Sequence, residues 1–129
     1  MIELNDSFEN EYDENHIEIP LDTDNLVNLI STGGAMDCLT TNFEQRDAQI
    51  ELLKKICQSF NEDKIGVFEA GTGVGKSFAY LIPAIIWAKQ NKERIVISTG
   101  TINLQQQIFE KDIPQQLLRH LTVDFRTGF

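Results

Sequence analysis

Apolar residues recur at helical spacing in some stretches of the chain and gather into short unbroken runs in others. From Glu44 to Phe60, Leu52, Ile56 and Phe60 fall at i, i+4 and i+8, with Leu53 and Cys57 beside them. That period predicts an amphipathic helix, with Glu51 and Lys55 paired at i, i+4 on its solvent side. Asn61-Glu62-Asp63 breaks the pattern. Ile65 to Phe68 then reads as a short strand, and Ile95-Val96-Ile97 as a second, both of the kind buried on two faces. Between them, Lys76 to Asn91 is apolar almost all round and predicts a mostly buried helix. Pro83 inside it removes the bond to the Ala79 carbonyl, so a kink is expected there. Nearer the N-terminus, Asp24 is expected to cap a short helix through Ile30 that Gly33-Gly34 ends. Thr101 to Lys111 predicts another helix, ending near Ile113-Pro114 because a residue before proline avoids the helical region. A third candidate strand lies at Leu121–Phe125. Strand, helix, strand, helix in this order predicts an α/β fold with parallel strands and right-handed crossovers.

Composition narrows the class. The 129 residues are the usual size of one compact domain. The formal net charge is −9, which excludes a strongly basic nucleic-acid-coating protein but leaves room for a local nucleic-acid patch. The charge is uneven. Residues 1 to 24 carry nine acids and no Lys or Arg, so the remainder is balanced at 11 acids and 11 bases. This acidic arm has few aliphatic residues to offset its ordering entropy, and residues 1–22 read as a solvated, mobile tail. The two cysteines, Cys38 and Cys57, exclude a disulfide framework and give no zinc spacing. The longest charge-free apolar run, Ser77 to Ala88, has 12 residues against the roughly 20 needed to cross a bilayer. The N-terminus lacks the basic-then-apolar pattern of a signal peptide. A soluble cytoplasmic protein without a membrane partner is the expectation.

Chemistry concentrates between the first candidate strand and the buried helix, at Glu69-Ala70-Gly71-Thr72-Gly73-Val74-Gly75-Lys76-Ser77. Gly75-Lys76-Ser77 is the second half of a phosphate-binding loop, although Ala70 stands where the plain motif opens with glycine. Glycines permit positive φ, and the N–H groups of such a loop turn inward as a nest for phosphate oxygens. The helix starting near Lys76 adds its positive N-terminal end. The Lys76 ammonium can reach the β and γ phosphates, and the Ser77 hydroxyl can ligate Mg²⁺. The bland rival is a Gly-rich strand-to-helix turn with an incidental lysine. The flanking apolar strand and helix favour the phosphate loop.

The run Phe68-Glu69-Ala70-Gly71-Thr72-Gly73-Val74-Gly75-Lys76-Ser77, followed by Tyr80-Leu81-Ile82-Pro83, resembles the first motor motif of the DinG/XPD-like helicases of superfamily 2. In that family alanine opens the loop, and a Tyr-Leu-x-Pro segment follows it. Ser98-Thr99-Gly100-Thr101, with the helix after it, looks like the next motif. Arg46 and Gln49 resemble the family's Arg-x-x-Gln segment, and Gly33-Gly34 its earlier Gly-Gly turn. The resemblance covers about residues 26 to 121. It implies a partial RecA-like P-loop NTPase domain over residues 23–129, the N-terminal part of the helicase ATP-binding domain. It further implies ATP with Mg²⁺ held by Ala70, Gly71, Thr72, Gly73, Val74, Gly75, Lys76 and Ser77, with Lys76 as the catalytic lysine. Arg46 and Gln49 would then contact adenine, and Thr99 and Thr101 the phosphates of single-stranded DNA.

Each assignment has a plainer rival. From the residues alone Gln49 reads as a solvent-facing helix position, and only the resemblance reverses that. Thr101 is also a natural helix N-cap, compatible with a phosphate contact. Gln105-Gln106-Gln107 reads as a polar helix face, Glu69 as the end of a strand, and His120 as a surface residue. Asp13-Glu14-Asn15-His16 spells the superfamily's D-E-x-H box, but it precedes the loop, has no strand leading into it, and reads as chance. Many family members carry an iron–sulfur cluster, yet neither Cys38 nor Cys57 matches its cysteines. The true D-E-x-H box and the second motor domain have no counterpart in these residues, so the chain alone is expected to lack ATP hydrolysis. The alternatives are a non-catalytic nucleotide- or protein-binding remnant, or another P-loop enzyme such as a small kinase. The Arg-x-x-Gln and Ser-Thr-Gly-Thr segments argue against the kinase.

Overall fold

A computed structural model describes residues 17–39 and 41–107. Five helices follow in order: α1 (Thr23–Leu29), α2 (Ala35–Leu39), α3 (Asp47–Asn61), α4 (Lys76–Asn91) and α5 (Ile102–Gln107). The candidate strand Leu121–Phe125, the far end of the helix expected to reach Lys111, His120, the D-E-x-H look-alike and residues 1–16 of the acidic arm lie outside the described residues.

α1 begins one residue after Asp22, whose carboxylate accepts a hydrogen bond from the Asn25 N–H at 3.1 Å. The cap is thus Asp22, not Asp24. Both are acids at a helix start, and the one with extended backbone outside the first turn takes the role. After Ile30 a turn closes with the Gly34 N–H on the Ser31 carbonyl at 2.9 Å. α2, which the sequence pattern does not announce, follows at once.

α3 starts three residues later than the pattern suggests, and its buried stripe runs Ile50, Leu53 and Cys57, with Gln49 and Ile56 alongside. Leu52 and Phe60 sit at its margins, half-buried against the core. The expected Glu51–Lys55 pair gives way to Lys54–Glu51 at 3.2 Å, one residue closer on the same helix surface. Burial pushes the Cys57 thiol above its ordinary pKa, which a hydrogen bond with Thr23 partly offsets.

α4 spans Lys76–Asn91, the range read from the sequence. It passes through Pro83, and residues 81 to 85 are all buried, so packing covers more than one face. α3 against α4 is the most extensive helix pairing, and α1 packs on α3. Leu26, Ile30, Met36, Ile50, Leu53, Ala79, Ile82 and Trp87 form the shared core.

The parallel strands expected at Ile65–Phe68 and Ile95–Ile97 are not formed among the described residues. Both runs lack a ladder, and Ile65, Val67 and Val96 are 99%, 93% and 83% exposed. A strand exists only through its neighbours, and these two runs do not pair with each other. The Phe68 ring instead folds back over Gly66, where an added Cβ would meet it at 2.4 Å.

Candidate phosphate-loop site

The loop that links Phe68 to α4 is shaped by two glycines with left-handed backbone. Gly73 has φ +78° and Gly75, the N-cap of α4, has φ +76°. A side chain is disfavoured at both positions, for different reasons. Around Gly73 there is open space, so only backbone conformation excludes a Cβ. At Gly75 a Cβ would also lie 2.2 Å from Gln49 Nε2 and 3.7 Å from Arg46 Nη1.

Gln49 is therefore not a solvent-facing residue. It is 7% exposed, and its Nε2 donates to the Gly75 carbonyl at 2.8 Å. That carbonyl also accepts the Ala79 N–H, the first bond of α4, at 3.4 Å. Arg46, the N-cap of α3, is exposed near Gly75. The fold thus brings Arg46 and Gln49 against the end of the loop, across 26 positions of sequence. The second Nε2 hydrogen and Oε1 of Gln49 have no partner among the described residues. Lys76 is exposed at the first position of α4, and Ser77 beside it is partly buried. Lys76 belongs to neither of the ion pairs Lys54–Glu51 and Lys64–Glu62.

On the other side of the loop, a cavity of about 390 Å³ opens between α3 and residues 67–74. Ala48, Glu51, Leu52 and Lys55 line it from α3, and Val67, Phe68, Glu69, Ala70, Gly71 and Val74 from the loop. The sequence pattern singled out neither Lys55 nor Glu51 for this surface. Their register on the loop-facing side of α3 was the available signal.

Thr99 and Thr101 lie in the segment that enters α5. Thr101 caps that helix, its hydroxyl accepting the Leu104 N–H at 3.2 Å, while the Thr99 hydroxyl donates to the Thr101 carbonyl at 3.1 Å. Thr101 keeps a hydroxyl hydrogen to donate, and the Thr99 oxygen can still accept. Among the described residues, Cys38 is exposed and Cys57 buried, and no group of three or more His, Cys, Asp or Glu gathers to hold a metal. No helix there is long and apolar enough to cross a membrane.

The glycine-rich turn into α4, with Arg46 and Gln49 against its end, is the candidate site. The sequence matches the DEAD/DEAH box helicase family over residues 46–123, and the chain belongs to that family. Within it the chain resembles DinG-type proteins. It is 39% identical over 80 residues to the 3'-5' exonuclease DinG of Bacillus subtilis, covering 62% of this chain and 9% of that protein. It is 37% identical over 89 residues to the ATP-dependent DNA helicase YoaA of Haemophilus influenzae, covering 69% and 13%. It is 44% identical over 71 residues to the ATP-dependent helicase DinG of Mycobacterium tuberculosis, covering 55% and 11%. The chain thus spans about a tenth of the length of these relatives. No solved structure matches it.

Proposed function

We propose that this chain is the ATP-binding portion of an ATP-dependent DNA helicase of the DinG/XPD-like type, with Ala70–Ser77 as its Walker A loop. The observation that carries the reading is the placement of Gly73 and Gly75, both left-handed, at the entry to α4 in a chain of this family. Alternating left-handed glycines turn backbone N–H groups toward one concavity, and the helix N-terminus behind them favours anions. Lys76 supplies a mobile cation to the β and γ phosphates, and counts as the catalytic lysine of the loop.

The residues present fit a magnesium ion that arrives with its nucleotide. Ser77 would offer its hydroxyl to such an ion at the start of α4. When bound, the ion neutralises charge on the β and γ phosphates. On the base side, one Nε2 hydrogen and Oε1 of Gln49 match the N7 and N6 edge of adenine, with Arg46 adjacent. Thr99 and Thr101 offer hydroxyls to single-stranded DNA phosphates. The runs Ile65–Phe68 and Ile95–Ile97 are the parallel strands of a RecA-like sheet once neighbours pair with them. With ATP and single-stranded DNA as its partners, the protein is expected to work in the cytoplasm.

Lys76→Ala removes a charge-assisted contact worth about 1.5–3 kcal/mol, or ten- to a hundredfold in affinity. Titration of a fluorescent ATP analogue with Mg²⁺ against both forms reads the difference. Equal affinities would show that the loop is not the site.

A further inference from the structure

The far ends of α3 and α4 are closed by two asparagines that hold main chain. Asn91, the last residue of α4, is 2% exposed. Its Oδ1 accepts the Ile19 N–H at 2.6 Å and its Nδ2 donates to the Ile19 carbonyl at 3.1 Å. Gln90 Nε2 donates to the same carbonyl at 2.6 Å. Asn61, the last residue of α3, treats Leu21 in the same way, at 2.7 Å to its N–H and 3.0 Å to its carbonyl. A carboxamide that takes both the N–H and the C=O of one residue reproduces what a neighbouring antiparallel strand does at every second residue. Ile19 and Leu21 are such a pair, and Pro20 between them has no N–H to satisfy. Leu21 is buried in the core, whereas Ile17 and Ile19 stay largely exposed, so the hold on residue 19 is a hold on backbone.

At their opposite ends the same two helices meet at Gln49 and Gly75. α3 and α4 have 15 and 16 residues, and so are about 22 and 24 Å long. They pack together closely, with the Phe60 and Trp87 rings 5.3 Å apart just inside the asparagines. A packed helix pair moves as two rigid bodies between discrete arrangements. Pinning one end therefore restricts where the other end lies. At that other end, the Gly75 carbonyl sits in the turn that forms the loop.

We propose that Asn61 and Asn91, with the strap of residues 17–21, are positioning residues for the phosphate loop: they fix the tilt of α3 on α4, and through it the seat of Gln49 under Gly75. The proposal rests on reading Ala70–Ser77 as the nucleotide site. The asparagines themselves do not touch the nucleotide.

Ile19→Pro removes the N–H that Asn91 holds, at a side chain that is more than half exposed. Asn61→Ala removes the second hold at a residue that is itself exposed. Both are tested in the full chain, well below its melting temperature, by hydrogen exchange of amides 71–80 and by affinity for the fluorescent ATP analogue with Mg²⁺. The expected result is faster exchange at 71–80 relative to the centre of α3, with affinity weakened roughly two- to thirtyfold, the range for coupling through packed elements. Asn61→Asp, which keeps the acceptor for the Leu21 N–H, should fall between. A lower melting temperature with unchanged loop exchange would overturn the proposal, since the strap would then serve stability alone. Exchange does not depend on nucleotide. If Lys76→Ala binds the analogue as well as the unaltered chain, the site reading fails, and the exchange comparison still decides the strap.

Discussion

Gly75 and Gly73 share a backbone conformation but not a neighbourhood, and substitution separates the two contributions. Gly73→Ala should cost about 1–2 kcal/mol of stability, the penalty for a Cβ in left-handed backbone. Gly75→Ala carries the same penalty and also drives Gln49 Nε2 from the Gly75 carbonyl, adding about 1 kcal/mol for the lost hydrogen bond. Urea unfolding of the two variants should rank Gly75→Ala as the less stable. Gln49 carries the second prediction at this scale. Its amide braces the loop with one hydrogen and keeps the groups that match adenine. Gln49→Ala should therefore weaken both ATP and GTP through the loop, and ATP further through the base. Parallel titrations with the two nucleotides measure it, and equal losses would remove the adenine contact. The glycine-rich turn into α4 was legible residue by residue, because it is written in consecutive positions. The burial of Gln49 was not, because it depends on Gly75 standing 26 positions away.

Among the elements, α3 and α4 carry most of the packing, and Leu53 on α3 is fully buried at their junction with α1. Leu53→Ala should destabilise the chain by about 2–5 kcal/mol through lost burial and the cavity left behind. Thermal and urea melts followed by helical circular dichroism would show it, and a loss below about 1 kcal/mol would mean that this helix pair is not the core. Helix boundaries were readable where local chemistry fixes them. α4 begins after a glycine-rich turn and ends with Lys92 in left-handed backbone, and its range follows from the sequence. The start of α1 was displaced by the choice between Asp22 and Asp24, the acids on either side of Thr23. α2, a single turn and a half held between the Gly33-Gly34 turn and Met36 in the core, has no periodicity long enough to read.

For the whole molecule, the exposed apolar runs set the behaviour. Ile65, Val67, Val96 and Ile97 present strand-forming side chains on main chain that forms no ladder among the described residues. Such an edge is a template for association. The acidic arm, with its nine carboxylates in residues 1 to 24, opposes that association by repulsion but cannot pair the backbone. The 129-residue chain should associate as its concentration rises, and Val67→Lys with Val96→Lys should shift it toward monomer. Sedimentation or light scattering across a dilution series would show this. A monomer at all concentrations in the unaltered chain would contradict it.

What is local or periodic could be read along the chain: the glycine-rich turn before α4, the extent of α4, the amphipathic run of α3, the concentration of acid near the N-terminus, and the resemblance that the family match bears out. The tertiary structure decided what depends on distant partners. It set Gln49 under the Gly75 carbonyl, tied Ile19 to the end of α4 and Leu21 to the end of α3, and left Ile65–Phe68 and Ile95–Ile97 without a ladder among the described residues. A helix or a loop completes its hydrogen bonds within a few residues, so its pattern is sufficient to specify it. A strand, a clamp or a buried amide takes its partner from another part of the chain, and no local pattern contains that partner.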